Sequence, residues 1–345
     1  MFKASVLIIS IAFLPIFSII VYQIVFNLDI NKRVYNHVPG ECSYSRIFNS
    51  GLNNIIQVGD YVYFYTSGED NFTTINAYND YNNQYFTFSL NYGNKKDEIQ
   101  GYFTYISVYK ENLFVINHLD ETTDTVELFK IYFQKKTLKY IRTFRHSKFY
   151  NLQGISALGK ESFYLTQQFY FKNYYLKILE FIFGLPTGCV LYYNGLEAIP
   201  ITDGIVSPKG LLVNQRMTRL FVPSYGNKKI KNYHIFKPFD NITYLNDILL
   251  GVSPVNILKF KNNDYIIPTH PLRLYFLITQ FFMPSYLTPS QVIRIKWNRN
   301  KKKFITEQLY ANDGASLSSI ENAVLFKDTL LISNRKTAIQ CSRSM

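Results

Sequence analysis

Apolar residues follow three spacings along this chain. Residues 4–26 are almost continuously apolar and carry no charge. At about 1.5 Å per residue, a helix of that length can cross a hydrocarbon layer of about 30 Å. From Gly59 onward, short stretches alternate apolar and polar residues with the period of a half-buried strand. These are residues 60–68, 112–117, 126–133 with 137–144, 189–193, 292–297 with 304–310, 323–326, 329–333 and 337–341. The pairs 126–133/137–144 and 292–297/304–310 read as hairpins, because only a few polar residues separate them. The third spacing is helical. It covers residues 174–183, ended by Gly184-Leu185-Pro186, and residues 274–283, ended by Pro284.

Many short strands at even spacing predict an all-β sandwich, barrel or propeller. Roughly 300 residues after the apolar run suit a six-bladed β-propeller of four-stranded blades, though no strict internal repeat is visible. The two helical segments are either buried helices packed on the β domain or helices on one face that lie in a bilayer interface. An apolar face that no membrane covers would instead take a protein partner.

Composition adds to this picture. Aromatic residues make up 17% of the 345 positions, nearly all Tyr and Phe, which suits strands. The net charge is +13, a value compatible with nucleic acid or an anionic membrane. However, Lys and Arg are dispersed, and Lys, Asn, Ile, Tyr and Phe are enriched together, as a biased codon usage produces; no nucleic-acid partner is expected. The densest basic run, residues 294–303, lies between two alternating stretches and reads as a solvated hairpin turn.

The apolar run is longer than the core of a cleavable signal, and no small-x-small site follows it, so it reads as an uncleaved transmembrane signal anchor with a mild kink at Pro15. The division expected is a tail at 1–3, the anchor at 4–26, a linker at 27–41 and one β domain at 42–345. Lys3 before the span and Lys32 and Arg33 after it do not fix orientation. Of three cysteines, Cys42 and Cys341 bracket the β domain, and a bond between them implies an oxidising compartment. The sequons Asn71-Phe72-Thr73 and Asn241-Ile242-Thr243 point the same way. Together these predict a single-pass type II protein of the endoplasmic reticulum or plasma membrane, with the β domain lumenal or extracellular. Cys189, in an apolar stretch, reads as a core thiol. No G-x-S-x-G, H-E-x-x-H, C-x-x-C, P-loop or G-x-G-x-x-G motif is present.

One family does resemble the chain. Leu113-Phe-Val-Ile-Asn-His-Leu-Asp120, Thr125-Val-Glu-Leu-Phe-Lys130 and Ile141-Arg-Thr-Phe-Arg-His146 are similar to the N-H-P-D, V-E-L-F-K and I-R-H segments of the paraoxonase/arylesterase family. The likeness continues through Asn151-Leu-Gln-Gly-Ile155, Asp203-Gly-Ile-Val-Ser-Pro-Lys-Gly210, Thr269-His-Pro271 and Cys341, and so covers residues 42–341. The resemblance implies a six-bladed propeller closed by a terminal disulfide, two tunnel calcium ions, a histidine dyad at His118 and His146, lipid-facing helices, and hydrolysis of aryl esters and lactones. The implied calcium positions are occupied by Asn53, Asn54, Gln153, Gly154, Lys209 and either Pro254 with Val255 or Val255 with Asn256, while the backbone near Asp120 serves the second ion in the family. No carboxylate falls at the aligned ligand positions, and one is an ammonium, whereas calcium draws its affinity from charged oxygen ligands. Without the metal, no Lewis acid stabilises the oxyanion of an ester reaction, which makes the dyad histidines packing residues. The reading favoured is therefore a membrane-bound, non-enzymatic accessory or chaperone-type protein without a cofactor, whose partners are lipid and a membrane protein. It resembles the nematode subgroup that assists degenerin-type sodium channels. The alternative is a calcium-dependent arylesterase or lactonase that recruits Asp120 or Asp203; a third is a tunnel that binds lipid or another hydrophobic ligand.

Overall fold

The computed structural model describes residues 2–45, 51–59, 62–67, 74–79, 81–82, 84–93, 101–261, 263–326 and 329–342. The sequon at Asn71 lies outside them. Six sheets form the six blades of a propeller. Blade 1 is β2(Asn54–Val58), β3(Val62–Ser67), β4(Thr74–Asn79) and β5(Gln84–Thr87). Blade 2 is β7(Tyr102–Tyr109), β8(Asn112–His118), β9(Asp124–Tyr132) and β10(Thr137–Phe144), with β6(Ser89–Asn91) added in parallel to β10. Blade 3 is β11(Leu152–Ala157), β12(Phe163–Gln167), β13(Gly188–Tyr193) and β14(Ala198–Ile205). Blade 4 is β15(Leu212–Val213), β16(Arg219–Ser224), β17(Lys229–Phe236) and β18(Asn241–Leu249). In blade 5, β19(Ser253–Pro254) and β20(Leu258–Lys261) share the inner edge of β21(Asp264–His270), followed by β22(Ser290–Asn298) and β23(Lys303–Asn312). Blade 6 is β24(Asn322–Phe326), β25(Thr329–Ser333) and β26(Ala338–Ser342), closed on its outer edge by the N-terminal strand β1(Cys42–Tyr44).

Each blade alternates its side chains and buries both faces against its neighbours, so the core is divided among blade interfaces. Phe114, Val126 and Phe144 of blade 2 pack on Phe163, Leu165 and Tyr193 of blade 3. Similar clusters join blades 1 and 2, 3 and 4, 4 and 5, 5 and 6, and 6 and 1. The ring closes where β1 pairs with β26 in the register Cys42↔Cys341, and those two cysteines form a disulfide.

Three helices share one face. Helix α2(Tyr174–Phe183) starts at Asn173, whose side chain accepts from the N–H groups of Tyr175 and Leu176, and ends at Gly184 in the left-handed region at φ 62°. Helix α3(Arg273–Phe281) follows β21. Since β12 and β21 end opposite the beginnings of β11 and β19, both helices lie on the face where the inner strands start. Helix α1(Phe2–Asn27) ends on the same face. Leu28 is buried there with Phe181, Tyr225, Phe276 and Leu277. Arg273 donates to the carbonyls of Asn27 and Phe181, at 2.8 and 2.9 Å, and Lys228 donates to Phe26, at 3.0 Å. Two cations thus meet the C-terminal carbonyls of α1, where the helix dipole is negative. The side chains of α1 are described only from Leu14 onward, and among the described residues no helix is long and apolar enough to cross a membrane.

The basic run 294–303 differs from its expected form. Arg294 belongs to β22 and forms a bidentate pair with Asp264, at 2.6–3.2 Å; only residues near 299–302 make the turn. Asp264, on the neighbouring strand and diagonal to Arg294 in the register, neutralises the guanidinium, whereas Lys296 and residues 299–303 are exposed.

Candidate functional site in the propeller tunnel

The inner strands of the blades surround a central tunnel. On the helix face of blade 2, pairing sets a polar group in place. His118, the last residue of β8, lies opposite Tyr102 of β7 and Asp124 of β9. Its Nδ1 is 2.5 Å from Asp124 Oδ1, and its Nε2 is 2.9 Å from Thr104 Oγ1. Asp124 is buried, and its second oxygen accepts from Leu152 N–H at 2.8 Å. An acceptor at Nδ1 fixes the tautomer with the proton on that nitrogen, which leaves Nε2 as the basic position facing the Thr104 hydroxyl. This is the arrangement of a histidine oriented by a carboxylate.

His146 stands apart. It lies in the turn after β10, accepts from Lys148 N–H at 3.1 Å and packs on Phe149. Both nitrogens of His118 are bonded elsewhere, so no hydrogen bond joins the two imidazoles. Asp120 is also away from the tunnel. It is exposed in the β8–β9 loop, where Thr122 N–H and Oγ1 donate to it and hold its carboxyl below the usual range. Asp203 is exposed on β14, an outer strand. Neither carboxylate is brought to the tunnel.

The remaining expected positions do converge. Asn53 and Asn54 are buried at the start of β2. Asn53 donates to Phe103 O, and Asn54 Oδ1 accepts from Ile106 N–H at 3.2 Å. Gln153 Oε1 accepts from the Tyr105 hydroxyl at 3.1 Å. Asn256 Oδ1 accepts from Ile257 N–H at 2.9 Å, and its amide faces Asn322. Gly154 and Gly210 make the backbones touch: Gly210 N–H donates to Gln153 O at 2.7 Å, and a Cβ on Gly154 would lie 2.7 Å from the Gly210 backbone. Gly210 is itself left-handed at φ 52°, and a Cβ there would meet Asn256 Oδ1 at 2.5 Å. Neutral amides already bonded to the protein thus form the waist of the tunnel. Val255 lies instead in the apolar cluster beneath the helices, and its neighbour Pro254 belongs to β19.

Lys209 is the one charged group at these positions. It is 5% exposed, its ammonium makes no hydrogen bond among the described residues, and it lies 4.2 Å from the ring centroid of Phe276 and 5.1 Å from that of Tyr225. Burial pushes its pKa down to about 8, while the Glu321 carboxylate acts in the opposite direction. The amine is therefore still protonated at neutral pH. Beside it, burial and then the Lys209 charge push His270 down to about 3. Its Nε2 faces Ile320 O at 2.9 Å and its Nδ1 faces the Tyr225 hydroxyl at 3.2 Å, so the imidazole is neutral. Glu321 is paired with Arg335 at 3.1 Å. Among the described residues, no three His, Cys, Asp or Glu side chains group as a metal site. Calcium draws its affinity from anionic oxygens, and the aligned positions brought together here carry amides and a cation and no carboxylate, a donor set that does not fit it.

Several of these groups are silent in the sequence. Asp124 is six residues after His118, and only the tight β8–β9 hairpin makes the two direct neighbours. Thr104, Tyr105 and Asn322 carry no motif. Cys189 is half-buried and packs against the core between blades 2 and 3, as an apolar stretch implies; it donates to Gln167 Oε1, and burial pushes its thiol up to about 11, which makes it a poor nucleophile. Asn241 is exposed at the start of β18.

Comparison with known proteins places this architecture. The structure superposes on that of a luciferin-regenerating enzyme with a TM-score of 0.55 at 8% identity, over 88% of this chain and 95% of the other; that likeness concerns the fold alone. Mouse serum paraoxonase/lactonase 3 is 30% identical over 223 residues, which are 64% of this chain and 61% of that protein, so the match spans less than two thirds of the relative. Mechanosensory abnormality protein 6 of Caenorhabditis elegans is 25% identical over 332 residues, 88% of this chain and 86% of the other. The arylesterase family model matches residues 16–342, and over that span, which includes every blade and the closing disulfide, the chain belongs to the arylesterase family.

Proposed function

We propose that this family member works without calcium, as a non-enzymatic accessory protein at a membrane. The observation that carries the proposal is Lys209: a buried ammonium, without a hydrogen bond among the described residues, stands at an implied metal position against the rings of Phe276 and Tyr225. A fixed positive charge there opposes entry of a second one. In this reading α1 is a signal anchor, supported by its uncharged run and its 26-residue length, and the exposed apolar side chains of α2 and of residues 282–287 meet lipid or the partner. The propeller is lumenal or extracellular, in keeping with its disulfide and an exposed sequon at Asn241. The partner would be a membrane protein, with a degenerin-type channel as the candidate that the nematode likeness brings forward.

The test is the melting temperature of the full chain in millimolar calcium and in chelator. A ligand at 100 times its dissociation constant stabilises a fold by about 2.7 kcal/mol. No shift is expected. A rise of several degrees in calcium would overturn the reading.

One observation favours an arylesterase or lactonase instead: Asp124 orients His118 so that Nε2 could take a proton from water. That reading predicts aryl-ester turnover that chelator abolishes and that Asp124→Asn reduces by about 10²-fold or more.

A further inference from the structure

The far end of the tunnel has a different character. A cavity of about 910 Å³ opens between β2, the later parts of β7 and β11, residues 210–219 and residues 256–259, and reaches down to the waist at Asn54, Gly154, Gly210 and Asn256. It lies on the face away from the helices, because those residues lead into the hairpin turns opposite α2 and α3. Among the described residues its lining includes five cationic side chains, Lys110, Arg216, Arg219, Lys259 and Arg299, and no Asp or Glu. Over the whole chain the ratio is 37 basic to 24 acidic residues, so a lining without any carboxylate departs from the average. None of the five is in an ion pair among the described residues, whereas Lys130, Arg142, Lys229, Arg294 and Arg335 are all paired. Arg219 and Lys259 are half-buried; the other three project from the rim. Like charges around a low-dielectric cleft focus a positive potential into it.

Beneath the rim three polar groups of the wall are already engaged. The Tyr105 hydroxyl donates to Gln153, Asn54 Oδ1 accepts from Ile106 N–H, and Ser107 Oγ accepts from Ala157 N–H. Val108, Ile155, Leu212 and Ile257 add apolar contact to this wall, beside the polar side chains of Gln57, Ser156, Asn214 and Asn256. The volume lies within the range of sites for drug-sized ligands, about 300–1,000 Å³.

We propose that this mouth is a binding site for an amphipathic carboxylate, with its apolar body in the cavity and its acid group held by the guanidinium groups of the rim. A guanidinium matches a carboxylate through two parallel hydrogen bonds, and Arg216 and Arg299 stand at the rim, with Arg219 half-buried in the lining. The site goes beyond the accessory role and does not depend on it.

The experiment is isothermal titration of 2-naphthoate into the full chain in lipid nanodiscs, with empty discs as blank and the neutral 2-naphthamide as control. Saturable binding of the acid is expected, with the amide about tenfold weaker or more. The variant Arg216→Glu/Arg299→Glu should lose the acid's binding while its melting temperature stays unchanged, since both residues are exposed in turns. Equal binding of acid and amide, unaffected by the charge reversal, would overturn the proposal in favour of a plain apolar pocket. Binding of polyglutamate in place of naphthoate would overturn it too, since the rim would then be a contact for an acidic chain. Absence of any naphthoate heat would likewise reject it.

Discussion

Burying the Lys209 ammonium beside two aromatic rings opposes folding for as long as the amine is protonated. Its folded pKa of about 8 lies below the unfolded value of 10.5, so the folded chain binds fewer protons between those limits. The penalty is therefore complete below about pH 8 and fades as pH rises towards 10.5. The shift corresponds to about 3 kcal/mol, of which the cation–π contacts return a part. Lys209→Met should accordingly stabilise the protein at pH 7 by about 1–3 kcal/mol, and the gain should shrink in urea titrations at pH 10. A Met variant less stable than the parent at pH 7 would show that an anion or carbonyl ligand holds the amine in place. Asp124 has the opposite sign. Its two oxygens accept from His118 and Leu152, and an Asn at 124 would turn an N–H towards one of those donors. Asp124→Asn should cost about 1–3 kcal/mol in chemical denaturation. At this scale the sequence was informative where a residue type is out of place for its family, as with Lys209, Asn53 and Asn54. It was mute where a role depends on pairing across strands: His118 was readable, but its partners Asp124 and Thr104 are ordinary residues until register brings them within hydrogen-bond distance.

Helices show how element and charge cooperate. Residues 174–183 and 274–283 were legible because helical spacing and a Gly or Pro stop coincide, and the structure starts α3 only one residue earlier, at Arg273. That one residue matters most for the contact with α1. Arginine is seldom fully buried, so nothing in the pattern marks it as the link to a segment 246 residues away. Of its three carbonyl bonds, those to Asn27 and Phe181 join all three helices, and a longer one reaches Gly226. Arg273→Met keeps an apolar stem of similar length and removes all three bonds. Leaving those carbonyls unpaired costs about 1–3 kcal/mol each, and the loss falls on the docking of α1 rather than on the blades. Trypsin should then cut after Lys32 or Arg33 at least about tenfold faster, while blade melting shifts little. Unchanged cleavage would mean that Lys228 with Asp29, at 2.6 Å, suffices to hold α1.

On the scale of the whole molecule, the propeller was anticipated from strand spacing and length, yet individual blades were not. Strands β15 and β19 have two residues each, too few to show any period, and blade 5 divides its inner edge between β19 and β20. The closure was legible because cysteines are rare here and two of three bracket the domain. A ring of blades has no covalent closure of its own. Blade 6 takes three strands from the end of the chain and its outer strand, β1, from the beginning, and Cys42–Cys341 ties residues 299 apart at that seam. A loop of this length gives close to the largest chain-entropy effect of a single disulfide, about 6 kcal/mol in the entropic account, although measured values are typically about 2–4 kcal/mol. Β1 itself adds little, since it has three exposed residues. Without the bond, opening should therefore start at the seam, with β1 leaving β26 before the clusters between the other blades give way. Cys42→Ser/Cys341→Ser should lower stability by about 2–5 kcal/mol, and hydrogen exchange should quicken first in β26, then β25, with β8 and β9 the last to lose protection. Simultaneous loss of protection in all six blades would show instead that the ring unfolds as one unit and that the disulfide only sets its overall stability.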